Sequence, residues 1–308
     1  MAAGEVAVRR SRWEAILEGL AKHRFELLLV LPMVVYVVGL TIVPIFRTIQ
    51  ISLTDRDSLA FPSLSTYQGV FGNEVFRQAI VNTLIVAFLS LALELGVGLA
   101  VALALHKSFR GRGFFRTVIL VPLGVPTIVS GAVMLLVFSR SGYLNALLAN
   151  IGDLIPGWDF QPITWTTAGG LKTLFVVAIA DMWKVLPVVT LIFLAGLQSV
   201  PEEVYEAADV DGATKWQRFT RVTLPLLIPY ITMALILRAI DAFRIFELAL
   251  VLADPIEPVL GTYIGNQYLP PTSNPFTAAA GSIVLFAIIM VFIILYLRFI
   301  GRRRELVA

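Results

Sequence analysis

Along this chain apolar residues gather into six blocks, near 27–48, 79–105, 115–138, 171–197, 224–247 and 276–300, separated by polar and charged segments. Each block can cross a bilayer, because a helix rising about 1.5 Å per residue needs roughly 20 mainly apolar residues to do so. The pattern predicts an all-α, polytopic membrane protein with six transmembrane helices. The first block is longer than a signal-peptide core, and no small-residue cleavage site follows it, so it is expected to stay uncleaved. Pro32, Pro44, Pro122, Pro126, Pro187 and Pro229 fall in or near the blocks. Neighbouring helices and hydroxyl side chains can satisfy the carbonyls that proline frees. None of the six is read as a substrate contact.

Charge gives the blocks a direction. Segments 1–26, 106–116, 198–223 and 298–308 hold 5, 4, 3 and 4 Lys and Arg residues, whereas 49–78, 139–170 and 248–275 hold only Arg56, Arg77 and Arg140. Lys and Arg accumulate in cytoplasmic loops, which predicts that both termini are cytoplasmic. A tail over 1–26 is followed by a membrane domain over 27–300 and a short tail over 301–308. Within the first tail Ser11 can cap a short helix carrying Trp13, Ile16, Leu17 and Leu20 on one face, flanked by Arg9, Arg10, Arg12 and Lys22. That pattern suits a helix in the membrane interface, or an ordinary solvated tail. In the second outer loop Leu144–Ile151 is a short apolar run, and Trp158 and Trp165 read as interfacial anchors.

Composition narrows the chemistry. The chain is 58% hydrophobic and 15% charged, with a mean hydropathy of +0.85, against about 25% charged residues in soluble domains. It has no cysteine and only two histidines, His23 and His106. Disulfides, iron–sulfur clusters and thiolate metal sites are excluded, and no metal site or catalytic triad is expected. No GxxxxGK[ST] phosphate loop is present.

Ionisable residues inside a span are costly and usually face a bundle interior or a wet cavity. The candidates are Glu94, Asp181, Lys184, Arg238, Asp241, Arg244 and Glu247. Asp181 and Arg238 each lie about ten residues in from the outer end of their span, near ~15 Å depth at the helical rise, and can pair. Asp181 with Lys184, Arg238 with Asp241 and Asp241 with Arg244 are neighbours three residues apart on a helix. One reading is a polar outer cavity in which these groups bond a hydroxyl-rich solute, with Trp183, Phe243 and Phe246 as apolar faces. The other is a set of ion pairs that hold helices together.

The segment 198–230 reads QSVPEEVYEAADVDGATKWQRFTRVTLPLLIPY from Gln198 onward. Ser199 is expected to cap a helix, Pro201 to open its first turn, and Glu202 and Glu203 to favour its N-terminus. Gly212 ends it. A second amphipathic stretch then places Trp216, Phe219 and Val222 on one side and Lys215, Arg218 and Arg221 on another. A short surface helix joined stiffly to a span can be gripped by another protein; it can also be no more than a link between two spans.

The run Glu206-Ala207-Ala208, three residues, Gly212, nine residues, Val222, one residue, Leu224-Pro225 resembles the EAA loop of bacterial ABC importer permeases. Asp211-Gly212-Ala213, Ala195-Gly196-Leu197-Gln198, Trp183-Lys184, Asn82-Thr83, and Gly142, Asn145, Leu148 and Gly152 are similar to the carbohydrate-uptake branch, related to maltose, trehalose and glycerol-phosphate permeases. Asp241 to Phe246 looks most like permeases for trehalose and other α-glucosides. Two departures stand out: Val222 where the family has isoleucine, and Ala253-Asp254-Pro255 in place of a common Gly-Gly-Pro. The resemblance implies a cytoplasmic coupling helix in which Glu206, Ala207, Ala208, Asp211, Gly212, Ala213, Leu224 and Pro225 meet or hinge against an ATPase. It implies a second homologous permease, two ATPase subunits that bind ATP and Mg, an extracytoplasmic solute-binding protein, and a bacterial or archaeal cytoplasmic membrane. Import of a sugar by alternating access follows from it, with trehalose or another α-glucoside as the leading solute. This chain would then hold no cofactor and no catalytic residue, and bind no nucleic acid. The rival reading is an ion-coupled secondary transporter with Asp181 or Asp241 as the titrating carboxylate, although such folds usually show internal repeats and more spans.

Overall fold

The structure is a computed structural model that describes residues 23–155 and 157–305. The interfacial helix expected around Ser11 to Lys22 lies outside the described residues. Among the described residues every regular element is helical. Six stretches are long and apolar enough to span a membrane, beginning with Arg24–Ser52, Glu74–His106 and Thr127–Gly152 and continuing with Gly170–Gln198, Lys215–Phe243 and Pro275–Arg298.

In chain order the elements are α1 (Arg24–Ser52), α2 (Ser65–Gly72), α3 (Glu74–His106), α4 (Arg112–Gly124), α5 (Thr127–Phe138) and α6 (Tyr143–Gly152). Then come α7 (Gly170–Gln198), α8 (Glu202–Val210), α9 (Lys215–Phe243), α10 (Glu247–Leu252), α11 (Leu260–Tyr268) and α12 (Pro275–Glu305). Both α1 and α9 contain a π-turn, Val38–Ile42 and Phe219–Thr223, that ends just before a proline, Pro44 or Pro225. Proline lacks the N–H that would bond four residues back, and the widened turn absorbs that missing bond.

Helices α3 and α7 form the central pair. Asn73 opens α3 by accepting the Phe76 N–H at 3.2 Å, and Glu74 complements the positive end of the helix dipole. Along α3 the buried positions Ala79, Thr83, Ala87, Leu91, Glu94, Gly98, Ala102 and Leu105 recur at three- and four-residue spacing. Most are small. Lipid tails are as apolar as leucine, so helices associate through close packing rather than the hydrophobic effect. One close approach is at Gly98, where a Cβ would stand 2.8 Å from Val189 Cγ1 of α7.

Two breaks depart from the sequence reading. The third block was expected to be one helix over 115–138, but α4 and α5 are separated at Val125-Pro126. The fifth was expected to reach 247, but α9 stops at Phe243 and the chain turns through Arg244, Ile245 and Phe246. The following stretch was read as an outer loop, yet it folds into α10 and α11 and buries Leu248, Leu252, Leu260 and Tyr263. Its burial depends on polar ties that a hydropathy pattern does not record. Thr83 Oγ1 accepts the Leu260 N–H at 2.7 Å, and Asn82 Nδ2 donates to Glu257 Oε2 at 3.0 Å and to the Pro258 carbonyl at 2.9 Å. Glu257 Oε1 in turn accepts the Gly170 N–H at 2.5 Å, so a distant carboxylate caps α7.

Helix α1 is different. Its side chains are exposed almost throughout, with Ser52 buried at its end, and its second half lies against α12. Such a surface tolerates lipid or another subunit, not water.

Candidate functional site

The intramembrane charges converge on Arg238. Its Nε and Nη2 donate to the two oxygens of Glu94 at 2.9 and 3.1 Å, Nη2 also reaches Asp181 at 3.2 Å, and Nη1 reaches Asp241 at 3.1 Å. The fork geometry of guanidinium matches carboxylates in this bidentate way. Helices α3, α7 and α9 are thereby fastened at one point. Glu94 and Arg238 have 0% and 5% side-chain exposure, Asp181 has 11%, and Asp241 has 59%. The network therefore runs from a dry interior to an accessible rim.

At that rim lies a cavity of about 320 Å³ lined by Thr127, Asp181, Lys184, Asp241, Arg244 and Glu247, among others. Its size is at the low end of the ~300–1,000 Å³ typical of ligand pockets. Both helix breaks open onto it: α5 begins at Thr127, and the turn after α9 supplies Arg244, Ile245 and Phe246. Irregular backbone at membrane depth is tolerated where it is packed in protein or lines a wet cavity. Glycines let α11 close over the second break. At Gly261 a Cβ would come within 2.4 Å of the Ile245 carbonyl oxygen.

Lys184 has a structural tie at this rim. Its Nζ donates to the carbonyls of Pro122 at 2.8 Å, Leu123 at 3.3 Å, and Val125. They lie where α4 ends: Pro126 offers no N–H to the Pro122 carbonyl, which also accepts the Val125 N–H at 3.3 Å, and a cation suits a helix C-terminus. Lys184→Met is expected to destabilise the protein by about 1–3 kcal/mol, because the Leu123 and Val125 carbonyls lose this donor. Reversible SDS denaturation in mixed micelles measures this, and a loss below about 0.5 kcal/mol would show the tie to be idle.

At the other end of α9 sits the 198–223 loop. Helix α8 buries none of its residues, and Glu206, Ala207, Asp211 and Gly212 are exposed while Ala208 and Ala213 are half-buried. Gly212 has φ +73°, its N–H donates to the Asp209 carbonyl at 3.1 Å, and the Ala213 N–H reaches the Ala208 carbonyl at 3.0 Å. This is a complete Schellman motif. Thr214 and Gln217 then form a capping box that starts α9. Arg218 bonds both oxygens of Asp209 at 2.9 Å and lies 5.7 Å from the centroid of the Tyr205 ring, locking α8 onto α9. Ser199 does not cap α8 as expected. Its hydroxyl donates to the Gly196 carbonyl and accepts from Tyr230, each at 2.8 Å, and α8 starts after Pro201.

The model of the inner membrane component of binding-protein-dependent transport systems matches residues 95–305. The chain belongs to that family. The resemblance to ABC importer permeases read from the loop is thereby borne out. The trehalose/maltose transport system permease protein MalF of Thermococcus litoralis is 36% identical over 288 residues, covering 90% of this chain and 94% of that relative. The trehalose transport system permease protein SugA of Mycobacterium tuberculosis is 32% identical over 290 residues, covering 92% and 90%. In fold the permease resembles a bacterial ABC transporter involved in the import of the acidic polysaccharide alginate, with TM-score 0.78 and 23% identity over 94% of this chain and 99% of that one.

Not every residue singled out from the permease sequence reaches the pocket. Asp181, Lys184, Arg238, Asp241, Arg244, Phe246 and Glu247 line it together. Phe243 turns the other way, packing its ring 6.0 Å from Phe88 and 5.2 Å from Phe292 in the core. Trp183 is half-buried against the cluster around Leu174 and Leu248. Leu224 and Pro225 stand where the π-turn of α9 gives way to regular helix. Sequence reasoning missed Thr127 and Glu257. Gly124-Val125-Pro126 inside an apolar run was a signal for the first; the second carried none.

Proposed function

We propose that this permease is one transmembrane subunit of an ATP-driven importer for a sugar, with trehalose or another α-glucoside as its solute. Its termini and α8 face the cytoplasm. It pairs with a second homologous permease, and α8 of each docks on one of two ATPase subunits that bind ATP and Mg. An extracytoplasmic binding protein delivers the sugar. ATP closes the ATPase pair, the coupling helices approach, and the pocket opens outward; hydrolysis returns it inward.

One observation carries this reading: α9 is a single rod with the exposed lever of α8 locked to its start and Arg238, Asp241 and Arg244 near its end. Movement at the lever is delivered at the pocket. Carboxylate and guanidinium groups on the rim offer acceptors and donors to sugar hydroxyls, and Phe246 offers an apolar face. The relatives from Thermococcus and Mycobacterium support the choice of sugar, since both are described as trehalose permeases.

The test uses the whole transporter in proteoliposomes with ATP inside and labelled trehalose outside. Asp241→Asn is expected to cut uptake by about tenfold or more, a lost charged hydrogen bond being worth ~1.5–3 kcal/mol, while basal ATP hydrolysis and assembly persist. Loss of assembly instead would make Asp241 a structural ion-pair member. Uptake driven by a proton gradient without ATP would establish the secondary transporter in place of the importer.

A further inference from the structure

Away from the pocket, the turn between α3 and α4 gathers His106, Lys107, Arg110, Arg112 and Arg116 within one short segment. The Arg112 and Arg116 charges lie close enough to act on the His106 imidazole. Like charges repel, so such a cluster favours an anionic partner. Yet His106 Nδ1, Arg112 Nε, and Arg116 Nε and Nη2 are shielded from solvent and have no hydrogen-bond partner among the described residues. The acidic groups at this end, Glu202, Glu206 and Asp209, line a separate cleft with His106 and Lys107 that neither Arg112 nor Arg116 reaches. Asp209 is already held by Arg218.

Arg116 also lines a groove of about 370 Å³ between α4 and α7, whose walls are mainly Ile119, Leu120, Leu191 and Leu194, with Thr190 and Gln198 as its other polar residues. Phe109, Phe114 and Phe115 stand exposed on the same turn, where aromatic rings settle at the headgroup level. Unpartnered guanidinium nitrogens beside a mainly aliphatic groove complement an anionic head and an apolar tail joined in one molecule.

We infer that Arg112 and Arg116 bind the phosphate of an anionic phospholipid of the cytoplasmic leaflet, whose acyl chain occupies the groove between α4 and α7. Basic pockets between spans on the cytoplasmic side are suited to such head groups. The site takes its leaflet from the orientation proposed above, and adds to the permease a lipid dependence separate from its solute. A free anion would satisfy the nitrogens but would leave the groove without an occupant.

The full-length chain, purified in neutral detergent, is examined by native mass spectrometry with dioleoyl phosphatidylglycerol or phosphatidylcholine added. Phosphatidylglycerol should be retained in preference. The double substitution Arg112→Gln/Arg116→Gln should lower its retention about 30-fold, as expected for two charges removed at an anionic head group. Arg112→Lys/Arg116→Lys should keep most of it. Leu191→Trp, which fills the groove and keeps every charge, should lower retention as well. Equal retention of the two lipids, or an unchanged glutamine variant, would overturn the site. Displacement of the lipid by inorganic phosphate, with Leu191→Trp silent, would make it a free-anion site and overturn the lipid. Orientation fails separately: a cysteine placed at Ser108 in this cysteine-free chain would be labelled from outside.

Discussion

Replacing Arg238 with methionine is expected to be the most destabilising single change in the membrane domain, at about 3–5 kcal/mol. Methionine matches the stem of arginine as far as Nε, so the change mainly removes the terminal guanidinium atoms. What remains is Glu94, with 0% side-chain exposure and, among the described residues, no hydrogen-bond donor other than the two lost guanidinium nitrogens. Asp181 also loses its bond at 3.2 Å. Removing one partner of a buried pair leaves an uncompensated charge, and that desolvation cost exceeds the value of the pair itself. Reversible SDS denaturation measures the loss. The double variant Glu94→Gln/Arg238→Met should recover more than half of it, giving a large favourable coupling in the double-mutant cycle. A single variant within about 1 kcal/mol of the parent would show that Arg238 is not the fastening point of α3, α7 and α9.

The difference between Arg238 and Asp241 was only half visible in the sequence. Depth along a helix placed Asp181 and Arg238 at one level, and a three-residue spacing paired Arg238 with Asp241; both contacts occur, at 3.2 and 3.1 Å. The dominant partner, Glu94, is 144 positions away, and no local spacing points to it. Which charges are structural and which face the cavity is a matter of burial, and burial is set by helix rotation. Near-uniform apolarity around a span erases the stripe from which rotation is read. Phe243 illustrates the result: three residues before Phe246 on the same chain, it faces the core because α9 ends between them. The breaks followed a similar rule. Gly124-Val125-Pro126 gave a visible warning, whereas Arg244-Ile245-Phe246 contains no breaker, and its turn is fixed by the distant glycines of α11 that allow close approach. The 198–230 loop was the most legible part, because caps, a helix-ending glycine and a proline are local devices that a sequence writes out in order.

That legibility makes Gly212 the sharpest probe of the lever. No atom lies within 4 Å of where its Cβ would be, so a substitution there meets no steric clash and tests backbone conformation alone. At φ +73° an alanine costs about 1–2 kcal/mol, which corresponds to a ~5–30-fold fall in the population holding α8 in its observed pose. Asparagine tolerates this conformation better. Proline fixes φ near about −65° and deletes the N–H bonded to Asp209, so the Schellman motif cannot form. Uptake by the assembled transporter should therefore fall in the order glycine, asparagine, alanine, proline, with Gly212→Pro at background. Helix content and membrane insertion should stay at parental levels, since α8 buries none of its residues in the fold. The glycine is required only if α8 must be presented in one orientation to something outside this chain. Full transport by Gly212→Pro would mean that nothing grips α8 in that pose, and the rod from lever to pocket would have no input.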